Sequence, residues 1–289
     1  MSTLHQEHHF ESAICEHLGR HGWLYSEGDA AHYDRQTALF LPDLLAWVEA
    51  TQPASWQALA KAHGAGLPRV LAERVRRCLD EQGTLEVLRR GVELVGLKKP
   101  LSLVQFRPAL GLNPAIQQAY AANRLRVVRQ VHHSPNNPQD AVDLVLFVNG
   151  IAVATAELKS DFTQSVGDAV DQYRFDRDPA PKGGLAEPLL AFPGGALVHF
   201  AVSQYEVHMA TRLEGEHTVF LPFNKGTADG GAGNDVPADV NRYATDYLWN
   251  EVLLPDNLLN ILARFVHLQI EDEEDWEGRK YKKESLIFP

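Results

Sequence analysis

At 289 residues, 45% hydrophobic and 22% charged, the chain has an ordinary globular composition and enough length to bury a sizeable core. Its formal net charge of −11 argues against strong autonomous binding to nucleic acid, which is driven by phosphate neutralisation from a basic surface. Two isolated cysteines, Cys15 and Cys78, exclude a disulfide framework. The lack of an 18-residue apolar run or a signal peptide leads us to expect a cytoplasmic protein with no membrane partner.

The first expected element is a helix over Glu7 to Leu18, where Phe10, Ala13, Ile14, His17 and Leu18 share a 3.6-period stripe before Gly19 and Gly22. His5, His8 and His9 lie near its start but do not match H-E-x-x-H, so we read them as part of a mobile terminus. A helical stretch follows from Asp43 to Gln82, punctuated by Pro42, Pro53 and Pro68 near first turns, where the missing N–H costs nothing. Another helix is expected over Thr84 to Leu94. Arg69, Arg74, Arg76, Arg77, Arg89 and Arg90 make this the most basic region, read either as a charged helix face or as a contact to a DNA backbone or subunit. Gly91 to Gly96 has the spacing of a phosphate-binding loop. It lacks G-K-[ST] opening a helix, because Leu97 and Pro100 bracket Lys98 and Lys99, so ATP binding by this chain is rejected.

A short strand over Leu101 to Phe106, a helix over Asn113 to Asn123 and a strand over Leu125 to His132 precede the most informative stretch. There, apolar runs Val142 to Val148 and Ile151 to Leu158 are separated only by Asn149-Gly150, the strongest short-range hairpin signal. Unbroken pairing about that turn sets Asp143 opposite Ala156 and brings Asp143, Glu157 and Lys159 to the open end of the hairpin. Two carboxylates completed by water suit Mg²⁺ (or Mn²⁺), and an ammonium beside them can hold a water or stabilise charge building on a phosphate. This combination points to phosphodiester chemistry.

Beyond the hairpin we expect a helix over Ser165 to Arg174, strands over Leu197 to Ser203 and Glu206 to Leu213, and a long loop from Phe220 to Val236. That loop holds Gly230 to Asn234, a turn or an approach to DNA. Two more helices are expected, near Arg242 to Leu253 and Asp256 to Gln269. Residues 271–289 are read as a linker or exposed hairpin after a domain spanning 1–270. The fold class is α/β: a mixed central β-sheet of about five strands flanked by helices, with a helical insertion at about 43–97.

Asp143 followed, one hairpin later, by Glu157-Leu158-Lys159 resembles the D…ExK core of PD-(D/E)XK nucleases, a restriction-endonuclease-like fold. The runs DLVLFVNGIAVATAELKSD, DAVDQYRFDRDPAP, FPGGALVHFAVS and FLPFNKG together resemble the N-terminal nuclease domain of the restriction (R) subunit of type I restriction enzymes. The resemblance spans nearly the whole chain. It implies Mg²⁺-dependent, sequence-independent cleavage of double-stranded DNA delivered by an ATP-driven motor that would follow this domain. The implied partners are the methyltransferase and specificity subunits, and ATP serves only the motor.

By the same resemblance Asp143, Glu157 and the carbonyl of Leu158 hold the metal, and Lys159 positions the attacking water. Glu11 either approaches the metal or belongs to a solvated helix face. Gln172 matches the Gln of a Q-x-x-x-Y motif, but Asp176 stands at the Tyr position and Tyr173 is adjacent instead. Arg174 and Arg177 are expected phosphate contacts. Readings from other classes are a non-catalytic docking or scaffold module, disfavoured by the intact Asp143, Glu157 and Lys159, and a repair or junction-resolving nuclease.

Overall fold

The computed structural model describes residues 3–108, 110, 112–160, 164–239, 241–274 and 280–289. Its centre is the hairpin of β4 (Ala141–Val148) and β5 (Ile151–Leu158), the latter buried along its whole length. Asn149 and Gly150 both take positive φ, 49° and 82°, as a type I′ turn requires. A Cβ on Gly150 would lie 2.5 Å from the Phe40 carbonyl oxygen, so glycine is required there twice over. Asn149 is fully buried. Its Oδ1 accepts from the Arg124 N–H at 2.6 Å, and its Nδ2 donates to the Leu103 carbonyl at 2.9 Å.

β3 (Leu125–His132) pairs antiparallel with β4 on one side of the hairpin. On the other, β6 (Val198–Val202) runs parallel to β5 and is followed by antiparallel β7 (Val207–Ala210). Three two-residue strands, β1 (Tyr33–Asp34), β2 (Leu39–Phe40) and β8 (Leu221–Pro222), bring the mixed sheet to eight. The expected count of about five corresponds to the longer strands.

The register of the hairpin differs from unbroken pairing in one respect. Val148 faces Ile151 and Phe147 faces Ala152, but Leu146 faces Ala154, so Val153 is an extra residue in a β-bulge. The bulge reverses the alternation of β5. Ala152 packs on one side of the sheet, Val153, Ala154, Ala156 and Leu158 pack on the other, and Leu144 now faces Ala156. Continued by one residue, this register sets Asp143 opposite Glu157 rather than opposite Ala156.

Helices cover both faces. On one lie α1 (Thr3–Arg20), α2 (Leu41–Thr51), α3 (Pro53–His63), α4 (Leu67–Gln82) and α5 (Thr84–Arg90). Proline sits in the first turn of α2, α3 and α4. Leu44, Trp47, Leu71 and Val75 from these helices join Phe10, Ile14, Leu18 and the sheet in one core. The segment expected as an insertion is therefore continuous with the main core.

α6 (Pro114–Ala121) is capped by Asn113. α7 (Val166–Asp171), opened by a Ser165/Asp168 capping box, packs on the opposite face through Val166, Ala169 and Val170. It continues as a wider π-helical turn over Gln172–Asp176.

Several expectations change. The helix expected near Arg242 to Leu253 reduces to a π-helical turn over Leu248–Val252. Leu101 to Phe106 forms no strand: its backbone makes one bridge, Leu101 to Val92, while Leu101, Leu103 and Val104 are buried in the core. The helix expected up to Gln269 is α8 (Pro255–Asn260) with a π-helical turn to Phe265. Beyond it, β9 (His267–Glu274) leaves to pair with β10 (Lys280–Ile287). Residues 271–289, read as a linker or hairpin, include residues 275–279 outside the described set. The rest forms that hairpin and returns to the core, where Phe288 packs against Phe200 and Phe223.

Candidate active site

The open end of the hairpin, the end of β3 and the start of α1 converge on a cleft of about 390 Å³ lined by Glu7, Glu11, Gln130, Asp143, Lys159 and Gln172, together with His8, Arg129 and Leu158. Six sequence-designated residues thus meet at one place: Asp143, Leu158 and Lys159 from the hairpin, Glu11 from α1, Gln172 from the end of α7, and Glu157 immediately beneath. Asp143 accepts from the Leu158 backbone N–H through Oδ2 at 2.8 Å, and from the Gln130 amide through Oδ1 at 3.1 Å. Lys159 is only slightly exposed and its Nζ lies 3.1 Å from Glu7 Oε1.

Glu157 is fully buried on the α7 side. Its Oε1 accepts from Arg177 Nε at 2.7 Å, while Oε2 has no hydrogen-bond partner. Burial raises its pKa well above the ordinary carboxylate range, and the charge of Asp143 raises it further, with Arg177 and Lys159 opposing. Glu11 is also shifted up, by burial against the lowering effect of Arg129, and Asp143 adds to the rise. Three carboxylates therefore share one field. Arg129 grips Glu11 with two contacts, 3.2 Å from Nε to Oε1 and 2.9 Å from Nη2 to Oε2.

Gln172 is presented to the cleft by its neighbour. Tyr173 points inward and is fully buried; its hydroxyl is 2.7 Å from Thr155 Oγ1, which is 2.7 Å from His199 Nδ1. Burial pushes the His199 pKa down to about 3, so its ring is neutral in this chain of hydrogen bonds. Tyr173 thus anchors the helix end to β5 and β6 and stays away from the cleft.

The two arginines expected to contact phosphate are both engaged internally. Arg177 is buried against Glu157 and also donates to the Ala141 carbonyl at 2.6 Å. Arg174 donates twice to the Thr218 carbonyl, at 3.2 and 3.1 Å. Neither is a free surface cation.

Glu7, Arg129 and Gln130 were not singled out from sequence. Glu7 could have been, since it stands four residues before Glu11 and shares its helix face. Arg129 and Gln130 are successive strand residues that by alternation should point to opposite faces, so no periodicity signals that both reach Glu11.

The donors suit a hard cation that retains water. Glu157 Oε2 is a buried oxygen lacking a partner beside a second carboxylate. Among the described residues no three His, Cys, Asp or Glu side chains enclose an ion on their own. Carbonyl and water ligands would complete the set, as Mg²⁺ sites commonly do.

A mixed sheet flanked by helices, with carboxylates and a lysine at the end of its central hairpin, is consistent with the restriction-endonuclease-like fold class. The family model for the type I restriction enzyme R protein N terminus matches residues 6–218, and the chain belongs to that family. No curated protein matches it significantly. Among the described residues no helix is long and apolar enough to cross a membrane.

Proposed function

We propose that this chain is the Mg²⁺- or Mn²⁺-dependent endonuclease module of a type I restriction R subunit, cleaving double-stranded DNA without sequence preference. The observation that carries this reading is the partnerless, buried Oε2 of Glu157 beside Asp143, at the strand end that also bears Lys159. Asp143, Glu157 and the Leu158 carbonyl would hold the metal, which when bound lowers the pKa of water and neutralises charge on the scissile phosphate.

The protein's own groups divide the remaining work. Arg177 holds Glu157 Oε1 and leaves Oε2 for the ligand role. The Lys159 ammonium, steadied by Glu7, orients the attacking water and stabilises the negative charge that builds on the five-coordinate phosphorus in the transition state. Gln172 lines the substrate side of the cleft. With both Arg174 and Arg177 engaged internally and a net charge of −11, the domain needs DNA delivered to it. The ATP-driven motor and the methyltransferase and specificity subunits fill that role in this reading.

The test is plasmid nicking in Mg²⁺ or Mn²⁺ alongside a gel shift at graded salt. We expect slow nicking, weak binding that falls steeply with salt, and a loss of about 100-fold or more in cleavage for Lys159→Ala and Glu157→Gln. Undiminished cutting by Lys159→Ala, or tight sequence-specific binding by the chain alone, would refute the reading.

A further inference from the structure

Gln130 lies within the eight-residue strand β3 with φ of +50°. Among the described residues only Ala38, Gln130 and Asn149 are non-glycines with positive φ. Asn149 belongs to a turn that demands it, whereas Gln130 has antiparallel pairs on both sides, Arg129 with Leu144 and Val131 with Val142. The pairs keep one register, so no residue is inserted. The strand instead rotates locally at Gln130. Val128 and Val131 both face the α7 side, while Arg129 and Gln130 both reach Glu11. A left-handed backbone at a residue bearing a Cβ is unfavourable, and it persists only where the surroundings enforce it.

The strained backbone places an amide between two carboxylates. Nε2 donates to Asp143 Oδ1 at 3.1 Å and to Glu11 Oε1 at 3.3 Å. Together with the Leu158 N–H on Oδ2 at 2.8 Å, this clamps the Asp143 carboxylate by both oxygens. The chemistry of the residue type fits the position. A primary amide has two hydrogens, one for each acid, and carries no charge. A lysine or arginine there would compete with a bound cation, and a glutamate would add another acid to three that already repel.

We propose that Gln130 is a positioning residue that orients the Asp143 carboxylate, and through it the metal ligand set, at the expense of local backbone strain. The proposal rests on the metal-dependent nuclease reading of the same cleft.

Gln130→Gly separates the two effects, because glycine accepts positive φ without strain and removes the amide. We expect its melting temperature to hold or rise by about 2–4 °C. Calorimetric Mn²⁺ affinity of the full chain should fall about 10–100-fold, the usual consequence of losing an outer partner of a metal ligand. The Mg²⁺ concentration for half-maximal nicking should rise in step, with the plateau rate largely recovered at high Mg²⁺. Gln130→Asn, whose shorter amide tolerates the same backbone but withdraws from both acids, should behave likewise toward metal. Unchanged Mn²⁺ affinity in both variants would overturn the positioning role alone. A wild-type chain that takes up no Mn²⁺ would overturn the nuclease reading and this proposal together.

Discussion

Among the described residues two carboxylates are fully buried, Asp43 and Glu157, and their surroundings could hardly differ more. Asp43, near the turn end of the hairpin, receives Arg124 Nε on Oδ1 at 2.7 Å, Arg126 Nε on Oδ2 at 2.6 Å, and Arg126 Nη2 on Oδ1 at 3.1 Å. Both its oxygens are satisfied, and Arg126 continues to Asp29 at 2.6 Å and stacks its guanidinium over Phe40. Glu157, at the open end, has one arginine, one oxygen without a partner and a second acid as neighbour. The Asp43 carboxylate, bound on both oxygens by arginines, has the full set of partners that a structural buried acid needs. Glu157 keeps one oxygen open, and burial and the neighbouring Asp143 hold its pKa up; in the proposed reading that oxygen is the metal ligand.

The largest expected effect on stability is at the complete site. Asp43→Leu should destabilise the fold by about 3 kcal/mol, at the low end for a broken buried pair because Arg124 reaches water and Arg126 keeps Asp29. Urea denaturation would measure this, and Mn²⁺ affinity should be unaffected. A loss below about 1 kcal/mol would erase the contrast.

Arg177→Met comes next, at about 2 kcal/mol near neutral pH, because Glu157 escapes by keeping its proton. Its pH dependence carries a definite sign. With a folded pKa raised above the unfolded one, the native state binds the Glu157 proton longer, so this group's contribution is full below the unfolded pKa of about 4.3 and declines as pH rises to the folded value. Removing Arg177 raises that folded value further. The variant's deficit should therefore be small in acid and grow toward neutrality, which denaturation at a series of pH values would follow.

The smallest change sharpens the comparison most. Asp143→Asn removes the charge that raises both Glu157 and Glu11, so each should titrate lower, as carboxyl ¹³C NMR would read. Stability should change by less than about 1 kcal/mol and in the favourable direction, while Mn²⁺ binding is lost. A Glu157 titration that does not move would mean the two acids are not coupled.

Much of this was legible in the chain. Asn149-Gly150 located the hairpin to the residue because φ > 0 at two successive positions leaves few alternatives. The prolines marked helix starts because their own chemistry fixes position. Assembly of Asp143, Lys159, Glu11 and Gln172 into one cleft follows from motif and resemblance. What stayed hidden depends on tertiary packing. Nothing in Ile151 to Leu158 announces a bulge at Val153, since any apolar residue can occupy it. Arg177 reads as a surface cation until the partner burying it is known, and the inward turn of Tyr173 depends on Thr155 and His199 from two other strands. Leu101 to Phe106 has strand composition, yet it makes only the Leu101–Val92 bridge while Leu101, Leu103 and Val104 are buried in the core, an outcome set by tertiary packing.

The bulge at Val153 makes β5 sensitive to its reading frame. A strand has two faces, so its side chains obey a parity that any single-residue insertion or deletion reverses from that point on. Upstream of Val153 that parity is set by the Asn149-Gly150 turn; downstream it determines which side of the sheet receives an acid. Deleting Val153 would turn Glu157 into the apolar layer beneath α1 and send Leu158 toward Arg177. Substitutions of similar size at position 153 should be borne easily, whereas a length change of one residue anywhere between Gly150 and Glu157 should not. At Val153 the strand is thus tolerant of apolar composition but intolerant of a change in length.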